Sequence, residues 1–247
     1  MTQAQSAPDA ARLQEIAADL IARAKSAGAD HAEASVAESR HTELSVRDGN
    51  LEDIERSESL DAGVRVFVGQ RQAGVAFSDL SEQGRQFTVE RAIAMAKAAP
   101  EDPFAALADP ERLCTNPPRL DLFEAVEWSP EELEAIANRV EKAARAIEGV
   151  TMTDTAFASY GQGAAAYATT TGFNSGWRKS QFGYGASVIA GKDGAMERDY
   201  AATSARRGAD LKSPEEIGTE AGERTAQRVG PQKIKSGVMP VVFDRRV

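Results

Sequence analysis

The chain has 247 residues, enough for one large domain or two modest ones with a real hydrophobic core. Its formal net charge of −9, with no run rich in lysine or arginine, argues against a protein that binds nucleic acid. No apolar run approaches the roughly 20 residues of a membrane span. The N-terminus lacks a signal-peptide pattern, and the single cysteine, Cys114, excludes an intrachain disulfide and suits a reducing cytoplasm.

The first half of the chain predicts a helix, a run of short strands and a second helix. Residues 6–28 carry an apolar face at helical spacing, which starts at a capping-box-like pair, Ser6 and Asp9. Residues 81–98 show the same spacing, with Ser81 as the predicted N-cap. Between these helices, a meander of antiparallel strands is predicted over residues 32–39, 42–48, 51–59, 63–68 and 73–78.

The second half repeats this pattern after a long connection. Residues 101–128 are rich in proline and predict little regular structure. Residues 129–149 predict a helix with Ser129 as its N-cap, and Ser213 begins a last helix that ends near Gly230. The strands predicted between these two helices are 150–160, 164–170, 173–181, 184–190 and 195–205.

Because both halves share one order of elements, we interpret the chain as an internal duplication. The predicted fold is α+β, made of two tandem helix–antiparallel meander–helix units. Residues 1–100 form the predicted N-terminal α+β domain, 101–128 the Pro-rich connection and 129–232 the central α+β domain. The alternative is one continuous sheet built from both halves, and the pattern alone does not decide between the two.

The last residues, 233–247, begin a new apolar segment. Residues 238–243 have the composition of a buried strand, and an isolated strand cannot satisfy its backbone hydrogen bonds. We therefore expect a further, C-terminal domain to follow, with 233–247 as its first strand.

Motifs for catalysis or metal binding are absent from the sequence. His31 and His41 are the only histidines, and neither has a partner at the spacing of a zinc motif. Cys114 has no histidine nearby in the sequence, and nothing predicts a reactive thiol there. The glycine pairs 161/163 and 183/185 are predicted to be turns and bends between strands. The sequence predicts no catalytic residue and no metal ligand.

The stretch DGAMERDYAATSAR, residues 193–206, combines acids, arginines and a tyrosine in a predicted strand. Alternation places Glu197 and Asp199 on one face and Met196, Arg198 and Tyr200 on the other. Paired carboxylates would serve a glycosidase, but acids of this kind are commoner on a solvated strand. Because arginine and tyrosine are enriched at interfaces, we interpret the second face as a candidate interface or peptide-binding surface.

The strand meanders also predict an exposed sheet edge. Edge strands recruit extended chains through their unpaired N–H and C=O groups. We therefore expect such an edge to be offered to an extended peptide or to a partner subunit.

Four segments resemble the TldD/PmbA family, and within it the PmbA (TldE) branch. They are AGVRVFVGQRQAGVAFSDLS (62–81), LDLFEAVEWSPEE (120–132), SVIAGKDGAMERDYAATSAR (187–206) and VMPVVFDRRV (238–247). The resemblance covers nearly the whole chain, and the segments occur in the family's order. It implies a bacterial, cytoplasmic, zinc-dependent peptidase system that acts on unfolded peptides and was first named as a modulator of DNA gyrase.

The resemblance also implies a division of labour between subunits. In the family the zinc motif belongs to the C-terminal domain of the TldD partner, whereas PmbA-type chains lack it and pair with TldD as a heterodimer. It therefore implies a non-catalytic subunit, with zinc expected on a TldD-like partner or in the C-terminal domain and with no cofactor in this chain. The alternatives are a self-sufficient zinc metallopeptidase that acts as a homodimer, and a peptide-binding or gyrase-modulating adaptor.

Overall fold

A computed structural model of the protein describes residues 8–114, 118 and 120–244. These residues form four α-helices and one six-stranded antiparallel sheet. The helices are α1 (Ala10–Ser26), α2 (Glu82–Ala98), α3 (Pro130–Arg145) and α4 (Pro214–Gln227). The strands are β1 (His31–Arg47), β2 (Asn50–Val68), β3 (Arg71–Phe77), β4 (Val150–Thr169), β5 (Asn174–Ala190) and β6 (Glu197–Ala205).

The two halves share a single sheet. Its strand order is β3-β2-β1-β4-β5-β6, with β1 and β4 as the central antiparallel pair. Each half contributes a helix, three strands and a second helix, so the predicted α+β fold with two helix–meander–helix units is confirmed. The alternative of one continuous sheet is observed as well, because the two meanders join edge to edge.

Both helix pairs pack on the same face of this sheet. The core around α1 and α2 includes Ala34 and Val36 of β1, and the core around α3 and α4 includes Leu44 of the same strand. These three positions differ by even numbers, and β1 pairs with β4 without a register shift. Alternate residues of a strand point to one side, so the opposite side of the sheet carries no helix of the described chain.

The helices begin where the sequence predicts a cap, with one correction. Ser81 caps α2, while Ser129 and Ser213 form capping boxes with the glutamates three residues later. The N-cap of α1 is Asp9, whose carboxylate accepts a hydrogen bond from the backbone of Ala11. Ser6, predicted to take part in that cap, lies outside the described residues.

The glycine pairs predicted as turns lie inside the strands, so that prediction is wrong. Gly163 belongs to β4 and Gly185 to β5, and the short strands predicted on either side of them are continuous. A Cβ at Gly163 would lie 2.8 Å from the carbonyl oxygen of Glu38, and one at Gly185 2.7 Å from that of Ala201. Glycine is required there because the neighbouring backbone approaches too closely for a side chain.

The connection between α2 and α3 packs along the outer edge of β5. Its regular structure, in the residues described, is a single 3₁₀ turn at Pro110–Arg112. The carbonyl oxygen of Leu122 accepts a hydrogen bond from the backbone of Ser180 at 2.9 Å. The guanidinium of Arg178 lies 3.6 Å from the ring centre of Phe123, a cation–π contact. This part of the β5 edge is therefore covered.

The segment after α4 lies apart from the sheet. Residues 231–244 adopt neither helix nor strand. Their apolar side chains, among them Val238, Val242 and Phe243, are exposed. The first strand expected in this region is not paired with any described residue of this chain.

A buried carboxylate fastens the tip of the β1–β2 hairpin to the helix layer. Asp48 and Gly49 form the tip, both with positive φ, as a tight hairpin turn requires. Their backbone N–H groups each donate a hydrogen bond of 2.8 Å to the carboxylate of Glu141, a buried residue of α3. Arg145, one turn later, forms an ion pair with Asp48. The N-terminal hairpin is thus anchored to the helix of the second unit.

Replacing Glu141 with glutamine is expected to destabilise the fold by about 1–3 kcal/mol. The amide that replaces one carboxylate oxygen would present a donor to a backbone N–H, so that one buried donor loses its acceptor. Urea denaturation measures the loss, and hydrogen exchange at Asp48 and Gly49 should accelerate. Glu134→Gln, on the same helix and with no role at the turn, is the matched control. Unchanged exchange at both amides would contradict the anchoring role.

Candidate functional site

The helix-free side of the sheet, which we call the bare face, is a surface that no helix of the described chain covers. It carries the side chains that alternate with the buried ones along all six strands. Trp177 of β5 is 44% exposed and Tyr200 of β6 is 49% exposed, and both lie on this face. Large exposed aromatic side chains on one continuous surface are characteristic of contact sites.

Arg198 and Tyr200, two of the three predicted interface residues, lie together at the β6 end of the bare face. Arg198 is largely exposed, and its guanidinium lies 3.0 Å from a carboxylate oxygen of Asp154 in β4. Ser187 of β5 donates a hydrogen bond of 3.0 Å to the same oxygen, and Tyr200 lies directly opposite Ser187. Met196 immediately precedes β6 and is half-exposed. We call Asp154, Ser187, Arg198 and Tyr200 the β6 cluster.

The alternation predicted for this strand is observed, but one of its acids is not solvated. Asp199 points to the helix side and is buried against α4. Its carboxylate accepts a hydrogen bond from Arg228 at 3.1 Å, and its carbonyl oxygen accepts one from Thr225 at 3.3 Å. Glu197, at the start of the strand, is half-buried. The two carboxylates therefore lie in different environments and do not form an exposed pair of acids.

Asp154 is the member of the β6 cluster that sequence reasoning missed. The register of β4 against β5 shifts between Thr153 and Thr155, so Asp154 sits in a β-bulge. Simple alternation would place Asp154 on the helix side with Ala156 and Ala158. The bulge turns its carboxylate to the bare face instead, where it meets Arg198. Sequence alone carries no signal for such a shift.

A second polar cluster lies at the other end of the bare face. The hydroxyl of Tyr167 donates a hydrogen bond of 2.6 Å to Glu33, and Arg65 forms an ion pair with the other oxygen of Glu33 at 2.8 Å. These side chains line a small cavity of about 220 Å³. Burial raises the pKa of Tyr167 from 10.0 to about 12, and the hydrogen bond to Glu33 adds to the effect. The phenol is therefore a fixed hydrogen-bond donor at neutral pH.

A groove of about 870 Å³ runs along the outer edge of β5, beside the start of α1. Trp177 and Arg178 of the strand line one side, and Leu120 and Phe123 of the connection line the other. The exposed ring of Trp177 links this groove to the bare face. Its lining is mostly apolar, with no grouped carboxylates or histidines.

The candidate metal ligands do not converge in the structure. His31 and His41 lie ten residues apart on one strand, roughly 33 Å along it, so they cannot share an ion. Cys114 is exposed in the connection. Within the described residues, no three histidine, cysteine or acidic side chains are grouped so as to hold a metal ion. Among those same residues, no helix is long and apolar enough to cross a lipid bilayer.

Comparison with known families identifies the class of protein. Residues 32–96 match the model of the PmbA/TldA metallopeptidase domain 1, and residues 124–229 match that of the PmbA/TldA metallopeptidase central domain. The chain belongs to the PmbA/TldD family of metallopeptidase-like proteins.

Among its relatives is the metalloprotease PmbA of Escherichia coli O157:H7, 33% identical over 88% of this chain and 49% of that protein. A PmbA homologue of Haemophilus influenzae is 29% identical over 94% of this chain and 51% of its own length. The chain thus spans about half the length of the curated relatives it matches.

Solved structures share the fold. A modulator of DNA gyrase from Bacteroides thetaiotaomicron superimposes with a TM-score of 0.82, at 20% identity, over 91% of this chain and 52% of that one. TldE from Thermococcus kodakarensis superimposes with a TM-score of 0.72, at 17% identity, over 86% of this chain and 47% of its own. At these identities the likeness concerns the fold alone.

The raised pKa of Tyr167 predicts a stability that falls at alkaline pH. The folded protein keeps this phenol protonated above the pH at which the unfolded chain releases its proton. The contribution of the protonated Tyr167 phenol to folding stability is therefore complete below about pH 10 and is lost as the pH rises towards 12. Tyr167→Phe should remove one late transition from the phenolate absorbance titration and flatten the stability profile in that window.

Glu33→Gln is the matched variant for this titration. It should shift the same transition to lower pH, because the phenol loses its carboxylate acceptor, and leave the equally late transition of Tyr160 in place. A titration that is identical in wild type and both variants would rule out the proposed coupling.

Proposed function

We propose that this chain is a PmbA/TldE-type, non-catalytic part of a cytoplasmic zinc metallopeptidase system that acts on unfolded peptides. Its role is to dock on a TldD-like subunit and to form one wall of the chamber that admits the peptide. Family membership supports the system, and the bare face of the sheet supports the docking role.

The observation that carries the proposal is the composition of the bare face. A sheet covered by helices on one side normally needs a second layer wherever large side chains remain exposed on the other. Here Trp177 and Tyr200 are each about half-exposed, Arg198 is 66% exposed, and the half-exposed Met196 immediately precedes β6. Aromatic residues, methionine and arginine are the types enriched in protein interfaces. This composition favours contact of the bare face with another chain or domain over exposure to water.

The zinc of such a system is proposed to lie on the partner or in a C-terminal domain of the kind found in this family. When bound by protein ligands with one open position, zinc lowers the pKa of its water to about 7 and supplies the hydrolytic nucleophile. The residues of this chain would position the partner and shape the chamber. The β6 cluster would contact the partner, and the sheet would form the chamber wall. A net charge of −9 favours polypeptide partners over nucleic acid.

Arg198→Ala combined with Tyr200→Ala should weaken assembly with a TldD-type subunit by about 1–3 kcal/mol, or roughly 5- to 150-fold in Kd. Both side chains would leave the interface, and Asp154 would lose the cation that pairs with it. Isothermal titration of the purified chain with the partner measures the change.

Phe87→Ala combined with Arg91→Ala is the matched control for this experiment. It removes an exposed aromatic ring and an exposed arginine from the helix side of the molecule. Equal losses for the two pairs, or no loss for Arg198 and Tyr200, would disprove docking through the bare face.

The alternatives make different predictions for metal and activity. The non-catalytic assignment predicts that the 247-residue chain purifies without stoichiometric zinc and cleaves no peptide alone, while a zinc-carrying partner does. Elemental analysis and a fluorogenic unfolded peptide, assayed with and without partner, test both. One tightly bound zinc per chain held by His31 or His41 would overturn it. Self-association in place of pairing would favour the homodimeric peptidase, and binding of gyrase or peptide without hydrolysis would favour the adaptor.

A further inference from the structure

Strand β2 is much longer than the strand that covers its outer side. Of its 19 residues, Ala62–Val68 pair with β3, whereas residues 50–61 have β1 on one side and no strand of the described chain on the other. We call residues 51–61 the free edge. Residues 51–59 are exposed on both faces, because the helix layer does not reach them. Over residues 51–59 the free edge is therefore open from above, below and the side, whereas Leu60 packs against the core around α1 and α2.

The backbone of the free edge points its hydrogen-bonding groups outward at alternate residues. The backbone N–H of Thr170, next to the end of β4, donates to the carbonyl oxygen of Ala32 at 2.9 Å. The backbone N–H and C=O groups of the even-numbered residues of β1 thus point towards β4, and those of its odd-numbered residues point towards β2. Ile54 lies opposite Leu44 and Arg56 opposite Thr42, so both turn their N–H and C=O groups away from β1. The N–H of Ile54 donates to a carboxylate oxygen of Asp53 at 2.9 Å, a bond that an added strand would replace. The pairing of β1 with β2 shifts at Glu52, so the regular ladder open to an added strand runs over residues 54–61.

The side chains of the free edge select the kind of strand that fits. Residues 51–61 include five carboxylates and one guanidinium, that of Arg56. Arg47 of β1 pairs with Glu52, and Arg40 and Arg56 pair with Glu58, so the edge keeps an excess of negative charge. Glu55 lies directly opposite Glu43 of β1, a like-charge pair that costs energy in a sheet. A second copy of this edge would bring more carboxylates alongside these, whereas a cationic strand would neutralise them. Leu51 and Ile54, both nearly half-exposed, offer apolar contacts between the charges.

We propose that the free edge of β2 takes up an extended, cationic polypeptide segment as an added antiparallel strand. The added strand would lie end to end with β3 and continue its line along the sheet, in the way that β-augmentation extends a sheet. Its lysine or arginine side chains would lie beside Glu55 and Asp61. At about 3.4 Å per residue, a segment of roughly ten residues fills the edge.

This inference deepens the proposed function, because it names the charge and conformation of the unfolded peptide that such a system would gather. Its test uses this chain alone, without partner or zinc. Loss of the partner interaction would leave the peptide result unchanged, and failure of the peptide experiment would leave assembly through the bare face unchanged. The two proposals therefore stand or fall separately.

The probe is a fluorescent peptide of about ten residues that alternates lysine with threonine, a length set by the free edge. The control peptide has the same sequence with alternate backbone nitrogens methylated, which keeps the charge but removes strand pairing. Fluorescence anisotropy should show binding of the first peptide, and at least tenfold weaker binding of the second. Hydrogen exchange should slow at the amides of Ile54 and Arg56.

Two variant pairs separate docking on the edge from diffuse attraction to an acidic protein. Glu52→Lys with Glu55→Lys reverses charge on the edge, and Glu15→Lys with Glu223→Lys makes the same change in net charge on exposed helix positions. The edge pair should weaken binding at least tenfold and the helix pair less than threefold. Arg56→Pro should also abolish binding by removing an outward N–H, while Arg56→Thr, which keeps it, should not.

Each opposite result overturns the proposal. Equal binding of the methylated peptide, or equal losses in both reversal pairs, would leave only nonspecific charge attraction. Stronger binding of an acidic peptide of the same length would reverse the predicted partner. Protection of Ile54 and Arg56 that rises with protein concentration, without peptide, would assign the edge to a second copy of the chain. If Arg56→Pro fails to fold, the reversal pairs and the methylated peptide still decide.

Discussion

The antiparallel pairing of β1 with β4 is the contact on which the rest of the architecture depends. It runs without a shift from Glu33 opposite Thr169 to Val46 opposite Ala156, fourteen residue pairs in all. One end of this ladder contributes side chains to the core beneath α1 and α2, and the other end contributes side chains to the core beneath α3 and α4. Each unit thus completes its core with residues of the other, and neither core is made from one half of the sequence alone.

The one-sided placement of the helices follows from this pairing and explains the exposed features. Both units place their helices on the same side of the joint sheet, so the duplication doubles the helix layer and also doubles the bare face. The strands are longer than the helices that cover them, and the β1–β2 hairpin therefore extends beyond its own unit. Glu141 of α3 meets its tip, and two backbone N–H groups of the tip satisfy its buried carboxylate. The same overhang leaves residues 51–59 without a covering layer.

Local sequence signals predicted the helices well and the long-range geometry poorly. Ser129 and Ser213 cap their helices as predicted, because capping depends on residues within one turn. Gly163 and Gly185 were assigned to turns because glycine is common there, but here they relieve crowding from backbone that is distant in sequence or in another strand. Asp154 reaches the bare face through a bulge, and Glu141 binds amides more than ninety residues away. No local pattern encodes either relation. That Arg198 and Tyr200 share the bare face could be predicted because strand alternation alone determines it.

The acidity of the β2 edge has two effects that follow from the same charges. An open strand of this length is an aggregation hazard, and natural sheets protect such edges with charged side chains. Carboxylates repel a second copy of the same edge, which is the commonest competitor for it in concentrated solution. They attract a strand of opposite charge by the same Coulomb interaction, so discrimination between the two comes from a difference in free energy and needs no dedicated pocket. Because the charges are exposed, salt screens this difference, with a Debye length of about 8 Å at physiological ionic strength. Backbone pairing at Ile54 and Arg56 would supply the part of the binding that salt does not remove, and the carboxylates would supply the selectivity.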